Sequence, residues 1–216
     1  MLKRSLFYLL ASILFTGGIL FGKNSINTNS NYDSPDSTCN TDKNKNINNN
    51  KMEKVEMNFE SKRVTRNYRQ TINATPEVIF PLICPVKEAE WLDDWDYKMI
   101  YSISGVAELG AVFTTSFWED TEQIWIITKH DPIKNEVEFA RVVPGLVTSV
   151  LDVNILPKDE QSSYVDITYT YTSLTEKGNN FIDNKYTEEF FVENMKEWED
   201  SMNYFLQTGT VLKSSH

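Results

Sequence analysis

The sequence predicts an α+β domain in which an antiparallel sheet packs against one long C-terminal helix, and three features carry that prediction. Between Tyr97 and Thr172, six runs are strand-like and most of them alternate apolar with polar residues, the period of strands that have one wet face. Over residues 184–207 the period changes: Phe191, Met195, Trp198, Met202 and Phe205 recur at spacings of four and three, forming one apolar stripe on a helix. Upstream of both, Thr75-Pro76-Glu77 combines a capping hydroxyl, a proline at the first helical position and a carboxylate at the positive end of the macrodipole. A short helix is therefore expected near the start of the domain.

The chain opens differently. Lys3 and Arg4 precede residues 5–22, an uncharged apolar run about long enough to cross a bilayer as a helix. This reads as a signal or membrane anchor over 1–23, and its basic start sends the following chain out of the cytoplasm. Thr16-Gly17-Gly18 offers small residues to a signal peptidase, but Ile19 to Phe21 continue apolar beyond it, so cleavage is left open. The alternative is translation from Met52 or Met57, which leaves the domain cytoplasmic. Residues 24–55 read as a tether: ten asparagines between 24 and 50, with few apolar side chains, bury too little surface to offset ordering entropy. The folded domain is expected over 56–212.

Within it, residues 61–73 have strand composition, and four basic side chains place them at a sheet edge. Val78, Ile79, Leu82 and Ile83 continue the helix begun at Thr75 until Pro85. A second short helical or turn segment over 87–94 carries Trp91. Strands follow over 97–104, 111–117, 122–130, 135–143, 147–156 and 164–172. Their inward faces hold Tyr97, Met99, Tyr101 and Ile103; Ala111, Phe113, Thr115 and Phe117; Val137, Phe139, Arg141 and Val143; Leu151, Val153 and Ile155; Val165, Ile167, Tyr169 and Tyr171. In 122–130 the run Ile124 to Ile127 leaves the inward face undecided. The C-terminal helix must cover a large apolar surface, and the sheet's inner face is the one available. Gly209 suits its cap.

Charge and composition exclude several functions. Residues 1–55 carry 7 Lys and Arg against 4 Asp and Glu, leaving 14 against 27 for 56–216, so the domain stands near −13 within a chain of −10. A surface this acidic repels phosphate backbones, and no nucleic-acid partner is expected. The two cysteines, Cys39 in the tether and Cys84 in an apolar helical pattern, read as free thiols, and Cys84 as a small buried hydrophobe. Two histidines, His130 and His216, supply no metal-site spacing, and neither a metal nor another cofactor is expected.

The order strand, two short helices, about six strands and long helix resembles the START-like, pollen-allergen-like helix-grip (SRPBCC) superfamily over residues 59–209. The stretch Ala74-Thr75-Pro76-Glu77-Val78-Ile79-Phe80 is similar to that superfamily's opening helix. Leu82-Ile83-Cys84-Pro85-Val86 with Glu90-Trp91, Tyr101-Ser102-Ile103-Ser104-Gly105 and Phe113-Thr114-Thr115 resemble an uncharacterised bacterial subgroup. The resemblance implies a curved sheet of about seven strands gripping the long helix around a ligand cavity.

On that implied cavity face lie Tyr101, Phe113, Phe139, Arg141, Tyr169, Tyr171, Met195 and Trp198, with Trp125 if its strand faces inwards. Aromatic walls with a few polar tips suit a planar, steroid-like, lipid-like or polyketide-like ligand, although such rings are also ordinary core material. Arg141 is either an inward charge that holds a ligand carboxylate or enolate, or, the more ordinary case, a rim arginine paired to a surface acid. The acids Glu88, Glu90, Asp93, Asp94 and Asp96 read as a solvated face, with Trp91 and Trp95 as candidates to cap the pocket mouth. His130 reads as a turn residue. No triad, metal motif or phosphate loop is present, so no catalytic residue is assigned. The leading expectation is binding, sequestration or transport of a hydrophobic small molecule. One alternative is a polyketide cyclase or dehydratase-like enzyme in which Arg141, Tyr101 or Tyr169 polarises a carbonyl. Another is an interaction domain similar to Hsp90-activator-like relatives, with no cavity.

Overall fold

The computed structural model describes residues 59–118 and 121–213. The apolar run 5–22, most of the tether, Cys39, the alternative starts Met52 and Met57, and His216 lie outside the described residues. Among the described residues no helix is long and apolar enough to cross a membrane.

The elements follow one another as β1 (Arg63–Ile72), α1 (Pro76–Ile79), a 3-10 turn (Phe80–Leu82), α2 (Pro85–Glu88), β2 (Tyr97–Tyr101), β3 (Val112–Trp118), β4 (Thr121–Asp131), β5 (Glu136–Val143), β6 (Val147–Pro157), β7 (Ser163–Ser173), α3 (Glu176–Lys185) and α4 (Glu188–Thr208). The strands form one antiparallel sheet in the order β1-β7-β6-β5-β4-β3-β2. Strands β5, β6 and β7 alternate buried with half-buried residues along nearly their whole length, as a sheet with one covered face requires. Register shifts at Met99/Tyr101, Ser116/Trp118 and Ile127/Lys129 fall in β2, β3 and β4, where bulges bend the strands. The product is the helix-grip fold that the element order predicts.

Edge strand β1 shows how the grip is made. Among the described residues no strand pairs with its outer edge, and side chains of α4 serve the end of that edge instead. The Thr71 N–H donates to Glu199 Oε1 at 3.1 Å, the Asn73 N–H donates to Asn203 Oδ1 at 2.8 Å, and Asn203 Nδ2 returns a bond to the Thr71 carbonyl at 2.9 Å. Buried Gln70 reaches across to donate to the Met195 carbonyl at 2.8 Å. These bonds satisfy an edge that would otherwise pair with another chain, and they fix the axial position of α4. Phe191, Met195, Trp198 and Met202 are then buried against the sheet. Thr187 caps the helix start through Phe190 N at 3.2 Å, and Gly209 closes its end at φ 69°, where its N–H reaches the Phe205 carbonyl at 2.7 Å.

Two sequence expectations are corrected. The helical stretch 184–207 is the body of α4, but a separate helix, α3, precedes it, and the chain turns at Tyr186 where Thr187 begins the new cap. The strand expected over 97–104 ends at Tyr101, because Glu108 draws the next turn away from the sheet by accepting from Ile103 N, Ser104 N and Ser102 Oγ. The segment 87–94, expected as helical or turn, is helical to Glu88 and turns afterwards, and needs no correction. The undecided face of β4 is settled: Trp125 and Ile127 point inwards, while Ile124 and Ile126 are exposed. Cys84 is a free buried thiol whose sulfur accepts from Ala107 N at 3.2 Å. His130 belongs to β4 rather than to a turn, half-buried with its ring 5.1 Å from that of Phe80, and burial lowers its pKa.

Candidate functional site

Strand register assembles the site. Phe113 lies opposite Trp125, Trp125 opposite Arg141, Arg141 opposite Ser149 and Ser149 opposite Tyr171, so one row of inward side chains crosses five strands. The next row holds Ile127, Phe139, Leu151 and Tyr169. Between these rows and α4 lies a cavity of about 70 Å³, open to solvent on one side. Ile83 and Glu88 close one side, Met195 and Trp198 the side of α4, and Trp95 lines it together with the exposed Asp94, Asp96 and Ser116, which mark the mouth. A water needs roughly 10–15 Å³ measured in this way, so the cavity suits a ring-sized molecule rather than a long lipid chain.

The apolar wall is ordered. Phe113 and Trp125 stack in parallel at 5.8 Å, and Phe139 meets both edge-on at 6.4 and 6.3 Å. Tyr169, Tyr171 and Tyr186 form a second stack, at 4.8 and then 4.2 Å.

Arg141 sits between the two stacks and is only 7% exposed. Its Nε donates to Ser149 Oγ at 2.8 Å, Nη1 to Gln123 Oε1 at 3.3 Å and Nη2 to the Tyr186 hydroxyl at 2.9 Å. The guanidinium carbon lies 5.2 to 5.8 Å from the ring centres of Trp125, Tyr169, Tyr186 and Tyr171. The rim reading is thus overturned: the residue alternates inwards with Phe139 and Val143, and among the described residues no carboxylate pairs with it. Neutral hydrogen bonds and ring faces alone hold a charge that burial makes costly. Beyond it, Gln123 Nε2 and Trp125 Nε1 both donate to Thr115 Oγ1, at 2.7 and 3.0 Å, which fixes the Gln123 oxygen towards Arg141.

Glu88 is the second polar feature of the wall. It ends α2, is 5% exposed, and receives no hydrogen bond or ion pair at its carboxyl from the described residues. Burial alone pushes its pKa up to about 8. Tyr169 feels both poles: burial pushes its phenol up to about 12, with Arg141 pulling it down and Glu88 pushing it up, so it is a neutral donor at pH 7. The site therefore combines a fixed cation with a carboxyl that no described residue partners.

Of the residues that the sequence nominates, Phe113, Trp125, Phe139, Arg141, Tyr169, Met195 and Trp198 surround this cavity, and Trp95 stands at its mouth with its indole N–H on the Pro85 carbonyl at 2.8 Å. Three lie elsewhere. Tyr101 is 56% exposed at the end of edge strand β2, where the register shift turns it from the inner face, so it polarises nothing in the cavity. Tyr171 lies behind Tyr169 as a stacking support. Trp91 is fully buried, its indole donating to the Leu82 carbonyl at 3.1 Å and its ring edge-on to Trp198; it is a core plug, not a mouth residue. The acidic run is likewise not a uniformly solvated face, since Glu88 turns inwards. Thr115 shares the inner face with Phe113, as the alternation of its strand places it. Sequence reasoning missed Glu88, Gln123, Ser149 and Tyr186 as site residues. Gln123 and Ser149 carried a usable signal, each lying two residues before an inward residue, Trp125 and Leu151, on the same strand.

No family model and no curated protein matches the chain significantly. Solved structures do. A norcoclaurine synthase point mutant from Thalictrum flavum, in complex with a transition-state analogue, superposes with a TM-score of 0.54 and 10% identity, covering 70% of this chain and 98% of that one. The same plant's enzyme in complex with dopamine and hydroxybenzaldehyde gives a TM-score of 0.52 and 11% identity over 72% of this chain and 91% of that one. At such identity the likeness is one of fold, and it establishes the helix-grip family of architectures for this domain.

Proposed function

We propose that the domain binds a small ring-containing molecule in the cavity between sheet and α4, with an oxygen acceptor of the ligand, a carbonyl, carboxylate or phenolate, facing Arg141. The observation that carries this reading is a guanidinium buried in a cavity wall with no carboxylate to neutralise it. A purely structural arginine in that position is a liability; an anchor for an incoming acceptor is not. The two aromatic stacks supply flat walls on either side of the anchor, and the fold's capacity for ring compounds is illustrated by the dopamine and hydroxybenzaldehyde in the norcoclaurine synthase structure. Binding, not turnover, is the function proposed; beside Arg141, the titratable groups that line the cavity among the described residues are Glu88, Tyr169, Asp94 and Asp96.

Titration with benzoate, followed through quenching of Trp125 fluorescence, tests it. The native chain is expected to bind saturably, and Arg141→Met is expected to weaken binding at least about 30-fold, roughly 2 kcal/mol, while keeping its fold. Equal affinity in the variant, or no ring compound bound by the native chain, overturns the reading.

The bacterial subgroup suggested by the Leu82 to Val86 and Phe113 to Thr115 words belongs to this proposal, as does an extracytoplasmic location behind the 1–23 segment. The latter predicts that protease added to intact cells removes the domain; full protection would favour the start at Met52 or Met57.

A further inference from the structure

We propose that the acidic side of the cavity takes a basic nitrogen, so that the ligand is a ring compound carrying a protonated amine held by buried Glu88, with Asp94 and Asp96 at the entrance. This rests on the cavity-binding reading above and extends it to the other pole of the ligand. Of the acidic run, Glu90 is matched by Lys87 at 2.6 Å and Asp93 by Lys213 at 2.7 Å, both away from the cavity. The three acids that line the cavity form no ion pair with any described residue. Two of them, Asp94 and Asp96, are exposed at the entrance. The third, Glu88, is buried, directed into the cavity and without a partner, the position from which a carboxyl completes its bonding only with something that enters. A domain of about −13 also attracts cations to its surface.

Binding then moves a proton. In the empty cavity Glu88 is protonated at neutral pH, since burial holds its pKa at about 8. When an ammonium group arrives, the Glu88 O–H bond breaks, the proton leaves to water, and an N–H···O⁻ ion pair replaces it. The charged and titratable groups that line the cavity with Glu88 are Asp94 and Asp96 from the turn after α2, Arg141 from β5 and Tyr169 from β7, and Tyr169 interacts electrostatically with Glu88. From α4 the cavity receives only Met195 and Trp198. Amine affinity is therefore expected to rise with pH up to about 8 and to level off above it.

Calorimetry of the full chain with benzylamine and with its neutral counterpart benzyl alcohol, in buffers of different ionisation enthalpy, decides the matter. Benzylamine is expected to release close to one proton at pH 7 and to bind about tenfold tighter per pH unit between 6 and 7.5. In Glu88→Gln the proton release disappears and benzylamine binds at least about tenfold more weakly, while benzyl alcohol is unaffected. If benzyl alcohol binds and benzylamine binds no better at pH 8, or if the variant releases the same proton, the amine inference falls and the cavity reading stands. If neither compound binds while benzoate does, the amine inference falls alone; if benzoate fails as well, both fall.

Discussion

Glu88→Gln is expected to stabilise the protein at pH 8.5 by about 3–5 kcal/mol while leaving its stability at pH 4 almost unchanged. The native carboxyl is buried and without a hydrogen-bond partner among the described residues, so folding raises its pKa from 4.5 to about 8. Below pH 4.5 both folded and unfolded chains hold the proton, and the group costs nothing electrostatically. Between 4.5 and about 8 the unfolded chain releases the proton and the folded chain keeps it. Each rise in pH therefore favours unfolding, at about 1.4 kcal/mol per unit. Above about 8 both states are ionised and the full cost of a buried, unpaired charge has been reached. Glutamine has nearly the same shape, never ionises, and removes the slope. Urea midpoints of the two proteins from pH 4 to 9 should coincide at the acid end and diverge through this window. Parallel curves would mean that the carboxyl is hydrated or paired, and would remove the basis for an amine pole as well.

How much of this was legible beforehand follows from which signals are local. The strands β3 to β7 and helix α4 announce themselves by periodicity, because each has one face in the core and one in water, and the register is then set by the same alternation. Arg141 could be placed on the inner face by that rule; whether it met a carboxylate there could not, since its partners Gln123, Ser149 and Tyr186 come from β4, β6 and the α3 to α4 turn. Glu88 was hidden by company: within five acids in nine residues, composition points to solvent, and only the short helix at Pro85–Glu88 turns this one inwards. Tyr101 failed in the opposite direction, because a register shift near a strand end cancels the alternation that placed it. Helix α3 was missed since Glu176 to Asn180 is polar and contains a glycine, the composition of a loop, and what makes it a helix is the Thr175 cap and its seat on the sheet.

That seat yields the other large effect. Gly178→Ala is expected to destabilise the protein by about 2–4 kcal/mol, although alanine is the better helix former by up to about 1 kcal/mol. Gly178 is buried in the first turn of α3, and its N–H donates to Thr175 Oγ1 at 3.1 Å. An added Cβ would lie 2.0 Å from the Leu146 carbonyl oxygen and 3.1 Å from Ser173 Cβ. Neither can move freely. The Leu146 oxygen accepts the Leu174 N–H at 2.9 Å, while Ser173 Oγ accepts from Lys62 N at 2.8 Å and donates to Asn179 at 2.5 Å. The helix must therefore lift from the loop between β5 and β6, and it carries Phe181 and Ile182 with it. Phe181 packs edge-on to Tyr186 at 5.1 Å, and Tyr186 is the partner that holds one arm of Arg141. Loss of stability should for that reason be accompanied by weaker benzoate binding, through an anchor no longer fixed. Lys177→Ala, one position away and exposed, changes helix propensity without touching the seat and should stay within about 0.5 kcal/mol of the native protein. A Gly178→Ala protein as stable as that control would show that α3 does not need its close approach to the sheet, and Arg141 would then owe its orientation to Gln123 and Ser149 alone.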